Sequence, residues 1–95
     1  MSVYFIASIR INDELEYQKY LDAADEIFAR YNGSYLAVDE KPEVLEGEWN
    51  YNRAVLISFE TRKDFHAWYR SDDYRGILHH RLSASECDTI LIQGK

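Results

Sequence analysis

The sequence holds one cysteine, Cys87, and one proline, Pro42. A single cysteine excludes an internal disulfide and a cysteine metal cluster within the chain, and a reducing, cytoplasmic setting is the simplest expectation. Lysine is scarce: four lysines and seven scattered arginines stand against 17 acidic residues, for a net charge of −6. Nucleic acid and anionic membrane surfaces both call for a basic face, so neither is an expected partner. No apolar run approaches the ~18 residues that cross a bilayer. The apolar stretch Val3 to Ala7 has no basic segment before it and is soon interrupted by Arg10, which argues against a signal peptide. Repeats, low-complexity runs, a nucleophile elbow, a phosphate loop and a dinucleotide fingerprint are all lacking.

What is present is a globular composition, 46% hydrophobic and 29% charged, in one domain spanning residues 1–95. Its core is small, and apolar surface left over is expected to be buried against another subunit. Eight tyrosines are an unusual number for this length. They suit a cavity lining or amphipathic positions at the edge of a core.

Ala54 to Phe59 is apolar in both phases of a strand, with Val55, Ile57 and Phe59 on one face and Ala54 and Leu56 on the other. Such a strand has to be covered twice. Val3 to Ile11 predicts a first strand. Asp13, with Glu16 three residues on, predicts the cap of a helix running to about Tyr31. Its buried stripe is Tyr17, Tyr20, Leu21, Ala24, Ile27, Phe28 and Tyr31. Asn32-Gly33 ends it, with Gly33 as the left-handed residue. Ser34 to Asp39 predicts a second strand, with Leu36 and Val38 on one face and Tyr35 and Ala37 on the other; Pro42 marks an edge, bulge or turn beyond it. Thr61 and Ser71 cap two further helical segments, the second from Asp72 to about Leu82 despite Gly76. Asp88 to Gln93 predicts the last strand.

The order strand, helix, strand, strand, helix, strand predicts an α+β, ferredoxin-like βαββαβ sandwich: a four-stranded antiparallel sheet with helices on one face. The other face keeps apolar residues from several strands. The economical way to cover it is a homodimer in which two sheets face each other.

Leu45-Glu46-Gly47-x-Trp49, then a strand ending Phe59-Glu60, then Ala67-Trp68-Tyr69-x-Ser71-x-x-Tyr74 and Arg81 resemble the DUF1330 family over most of the chain. Those are small proteins of unassigned function in the dimeric α/β-barrel superfamily. The resemblance implies the ferredoxin-like fold and the face-to-face dimer. At superfamily level it implies small aromatic or polyketide-like ligands, and oxygenation or isomerisation without a cofactor. Relatives carry a glycine- and arginine-rich strand where this chain has Tyr35 to Glu40, so cationic contacts supplied from that strand would be missing here.

Six residues form the expected ligand site: Glu46, Trp49, Arg53, Trp68, Tyr74 and Arg81. The aromatics would wall a pocket for a planar organic molecule, and Arg81 would hold an anion. Core packing explains Trp68 and Tyr69 equally well, and an ion pair of Arg53 or Arg81 with Glu46 or Glu60 is the competing account of the charges. Glu46, His79 and His80 are the candidates for a general acid or base. Adjacent histidines on a helix point about 100° apart, and with His66 they give no metal-ligand spacing, so no metal is expected. Two functions remain open: a cofactor-independent catalytic or binding domain with a small organic ligand, and a non-enzymatic module whose aromatics only build core and dimer. Catalysis requires an enclosed cavity with Glu46, His79 or His80 facing into it.

Overall fold

The computed structural model describes residues 2–95. β1 (Val3–Ile11) leads to α1 (Glu14–Arg30), then β2 (Ser34–Asp39), β3 (Arg53–Phe59), α2 (Arg62–Tyr69), α3 (Asp72–Ala84) and β4 (Ser85–Gln93). The strands lie in the order β2-β3-β1-β4, each antiparallel to its neighbours. This is the expected ferredoxin-like topology, with the second helical unit divided into α2 and α3 and the sheet open rather than closed. Among the described residues no helix is long and apolar enough to cross a membrane.

The helix starts follow from side-chain capping. Asp13 accepts from the Glu16 amide at 3.1 Å, Thr61 from Asp64 at 3.0 Å and Ser71 from Tyr74 at 3.0 Å, each satisfying a first-turn N–H that the helix leaves unpaired. Gly76 is accommodated inside α3.

Three local expectations are corrected. At the end of α1 the left-handed residue is Asn32, with φ of 62°, and not Gly33. Glycine is needed at 33 for a different reason: a Cβ there would lie 2.5 Å from the Phe28 ring and 2.9 Å from Phe59. In β2 the pairing steps from Tyr35↔Ile57 to Ala37↔Leu56, so Leu36 is a bulge. The bulge puts Tyr35 and Val38 on the helix side and Ala37 on the other, which alternation alone could not show. Finally, β4 starts at Ser85, three residues before the expected Asp88, because α3 runs straight into it and pairing continues to Ile11↔Ser85.

The core lies between sheet and helices. Val3, Phe5, Ala7 and Ile9 of β1 and Val55, Ile57 and Phe59 of β3 are buried there. Above them Phe28, Phe65, Trp68 and Tyr74 form an aromatic cluster, with Trp68 and Tyr74 only 4.1 Å apart at their ring centres. Burying one such side chain is worth about 1.5–3 kcal/mol. Among the described residues no helix covers the far face of the sheet. Register aligns Ala37, Leu56, Ile6 and Ile90 in one apolar row across all four strands, and Ile90 is 57% exposed.

Candidate functional site

One end of the sheet is tied together tightly. Asn52 donates to and accepts from the Ile11 backbone at 3.1 and 2.8 Å, and the Asn12 amide donates to the Ala84 carbonyl at 2.7 Å. The Ser85 hydroxyl donates to the Arg81 carbonyl at 2.6 Å. These bonds hold the end of β1, the end of α3 and the residue before β3 against one another. Between them lies a cleft whose floor is Ala7, Ile9 and Val55 and whose walls are Tyr17, Tyr20 and Leu21 of α1, Tyr35 of β2, Arg53 and Arg81. It spans about 340 Å³ out to its open mouth, but its free interior is about 20 Å³, room for roughly one water.

Two guanidinium groups occupy this apolar, aromatic setting. Arg53 shares the strand phase of Val55, Ile57 and Phe59 and is 9% exposed; Arg81 shares the helix phase of Tyr74 and Leu78 and is 4% exposed. The Nε atom of each is buried without a hydrogen-bond partner. Arg53 stands 5.9 Å from the Tyr17 ring centre and Arg81 6.0 Å from that of Tyr20, within cation–π range. Among the described residues the one ion pair of either is with Glu40, which approaches Arg53 to 3.6 Å from an exposed position; Arg81 has none. Arginine does not give up its proton, so the cleft keeps two positive charges inside a molecule that is net negative.

The tyrosines are held neutral. Burial pushes the Tyr17 hydroxyl up to about 12, against the pull of nearby Arg53. Burial also raises Tyr20 well above its ordinary value, and Tyr74, its hydrogen-bond partner, adds to the effect. Tyr17 therefore presents an O–H able to donate to a ligand oxygen, while the Tyr20 hydroxyl is engaged with Tyr74.

The six expected ligand residues do not converge. Arg53 and Arg81 meet in the cleft. Trp68 and Tyr74 belong to the aromatic core, and the Tyr74 hydroxyl is bonded to that of Tyr20 at 2.9 Å. Glu46 and Trp49 line a separate, shallow concavity with Pro42 and Leu45, in the segment between β2 and β3. Trp49 packs edge-on against Tyr51, whose hydroxyl donates to Asp88. The expected pairing of an arginine with Glu46 or Glu60 is replaced by the Arg53–Glu40 approach.

Nor do the acid–base candidates face the cleft. Glu46 and His79 are exposed. The His80 ring is hydrogen-bonded to Glu16 on the outer α1–α3 seam, and that bond, with one from Lys19, holds the Glu16 carboxyl below its ordinary value. Among the described residues no three histidines, cysteines or carboxylates are grouped to hold a metal. Sequence reasoning did not single out Tyr17, Tyr20, Tyr35 or Glu40 for the site. The available signal was the phase of Arg53, an arginine on the buried face of an otherwise apolar strand.

The family model described as a domain of unknown function, DUF1330, matches residues 2–95. The chain belongs to the DUF1330 family. No match is found among curated protein sequences. Among solved structures, this DUF1330 chain is similar to RPA0582, a protein of unknown function from Rhodopseudomonas palustris, with a TM-score of 0.86 at 15% identity over 99% of this chain and 82% of that one. It is also similar to a dimeric ferredoxin-like protein of unknown function from Thermobifida fusca, with a TM-score of 0.71 at 19% identity over 99% and 92% of the two chains. SnoaB, a cofactor-independent oxygenase from Streptomyces nogalater, matches with a TM-score of 0.69 at 14% identity, over 99% and 93%. At these identities the likeness establishes the fold.

Proposed function

We propose that the protein is a homodimeric binding domain for a small organic molecule, taken up in the cleft between the sheet and helices α1 and α3. The observation that carries this reading is the pair of buried guanidinium groups, Arg53 and Arg81, each with an unpartnered Nε at one apolar cleft. Burying an ion costs several kcal/mol unless it is paired. A core built only for stability has no use for two such charges, whereas a ligand site does.

The reading is binding rather than acid–base catalysis. Glu46, His79 and His80 lie away from the cleft, and the ionisable groups inside it are arginines and neutral tyrosines. The oxygenase SnoaB shares the fold, and at 14% identity that likeness transfers no reaction. The dimer rests on the uncovered apolar row Ala37-Leu56-Ile6-Ile90 and on the dimeric state of the Thermobifida fusca protein. The Cα envelope is 33 × 32 × 15 Å, and its broad dimensions offer each partner more than the ~800 Å² of a standard interface.

A thermal-shift screen of charged and neutral aromatic compounds, including carboxylates and quinones, tests the site. At least one compound is expected to raise Tm in the native sequence and to lose that effect in Leu21→Trp, which plugs the cleft without altering its charge. No shift from any compound, or shifts that survive the plug, would remove the reading.

A further inference from the structure

Resting on that reading of the cleft, we infer that its ligand is an organic monoanion bearing a carboxylate or an equivalent planar oxyanion, and that Glu40 is the chain's own competitor for the anion position. Four observations converge on the class. Arg81 is 4% exposed, has no carboxylate near it among the described residues, and keeps an Nε donor unpartnered. Arg53 likewise keeps its Nε unpartnered. A guanidinium presents its N–H groups as a planar fork that matches two carboxylate oxygens, a geometry that a neutral carbonyl or hydroxyl answers only in part. The walls are aromatic, and the Tyr17 and Tyr20 hydroxyls are held protonated, so neither repels an oxyanion and Tyr17 can donate to it.

The size of the cleft places the ligand. About 20 Å³ of free interior admits a single ligand oxygen in place of a water, while the open side of the cleft, where Tyr35 is 38% exposed, takes an apolar body. The charged group therefore points inward, toward the arginines.

Glu40 supplies the regulation. It lies one residue past β2, is exposed, and its carboxylate stands 3.6 Å from Arg53 Nη1, beyond ordinary hydrogen-bond length. A carboxylate held at that distance lowers the cost of the empty state without making the forked pair that a ligand makes. An incoming anion displaces it, so affinity is set partly by how easily Glu40 leaves.

The test is calorimetric titration of the full chain with two matched pairs, acetate against acetamide and benzoate against benzamide. Each acid anion is expected to bind about tenfold or more tightly than its neutral amide. Arg81→Met and Arg53→Met are expected to abolish that preference, and Glu40→Gln to tighten anion binding about two- to fivefold. Amides binding as tightly as anions, with Leu21→Trp still blocking them, would overturn the anion class and leave the cleft as a site. Anion binding unchanged in both arginine variants would place the anion elsewhere and overturn the inference. An unaltered or weakened affinity in Glu40→Gln would overturn the competitor role. Failure of all four compounds to bind would overturn the cleft reading together with the inference.

Discussion

Tyr20 of α1 and Tyr74 of α3 share a hydroxyl–hydroxyl hydrogen bond of 2.9 Å inside the core, with their rings edge-on at 6.0 Å. The bond ties together the two helices that flank the cleft. It also engages the Tyr74 hydroxyl within the core. Tyr74→Phe leaves the Tyr20 hydroxyl buried and without this partner, and a loss of about 1–2 kcal/mol is expected. The double variant Tyr20→Phe/Tyr74→Phe is expected to cost less than the sum of the two single changes, because neither ring then carries an unpaired hydroxyl. Urea denaturation of the four proteins closes the cycle. Strictly additive losses would show that the hydroxyls do not interact.

Arg81 separates stability from function. It is buried without an ion pair among the described residues, so an apolar side chain of similar length removes a desolvation cost and keeps the packing. Arg81→Met is expected to stabilise the fold by about 1–3 kcal/mol, read as a higher denaturant midpoint, in the same variant that loses anion preference. Destabilisation would mean that the guanidinium is a structural element and that its burial needs no ligand to explain it.

Much of the fold was legible because local signals agreed. Asp13, Thr61 and Ser71 each begin a helix where a polar cap meets an apolar stripe, and the two-faced apolar strand Arg53–Phe59 lies inside the sheet. What escaped depends on pairing rather than pattern. The bulge at Leu36 is set by how β2 meets β3, and the early start of β4 by its continuation from α3 along β1. The site was half legible for a related reason. Arg53 and Arg81 stand out as charges in buried phases, but Tyr17 and Tyr20 read as ordinary members of a helix stripe. Trp49 and Glu46 drew attention through a local motif, and no periodicity could tell that their segment forms a concavity of its own.

The cleft tyrosines set the alkaline limit of stability. The folded value for Tyr17 is about 12 against an ordinary 10.0, raised chiefly by burial. A raised value means that the folded state holds the proton more tightly. The associated stability is complete below pH 10 and is lost as pH climbs toward 12, a change of about 3 kcal/mol. Tyr17→Phe is expected to flatten that stretch of the stability curve. Because Arg53 opposes the rise, Arg53→Met should delay the appearance of Tyr17 phenolate in an ultraviolet titration to still higher pH. An unchanged titration would show that the two side chains are not neighbours in solution.

The uncovered sheet face gives the sharpest test of assembly. Ile6 of β1 lies opposite Leu56 on one side and Ile90 on the other, so the row is continuous and a single charge at its exposed end interrupts it. Ile90 is 57% exposed, which lets a lysine there reach solvent in an isolated protomer at little cost. Across a face-to-face interface the same lysine would be buried opposite apolar side chains without a partner, at a cost of several kcal/mol. Light scattering is expected to report twice the 11.2 kDa chain mass for the native sequence and a single chain mass for Ile90→Lys, with helix and strand content retained by circular dichroism. A native protein of single chain mass would rule out the dimer. A dimer that persists in Ile90→Lys would move the interface off this face.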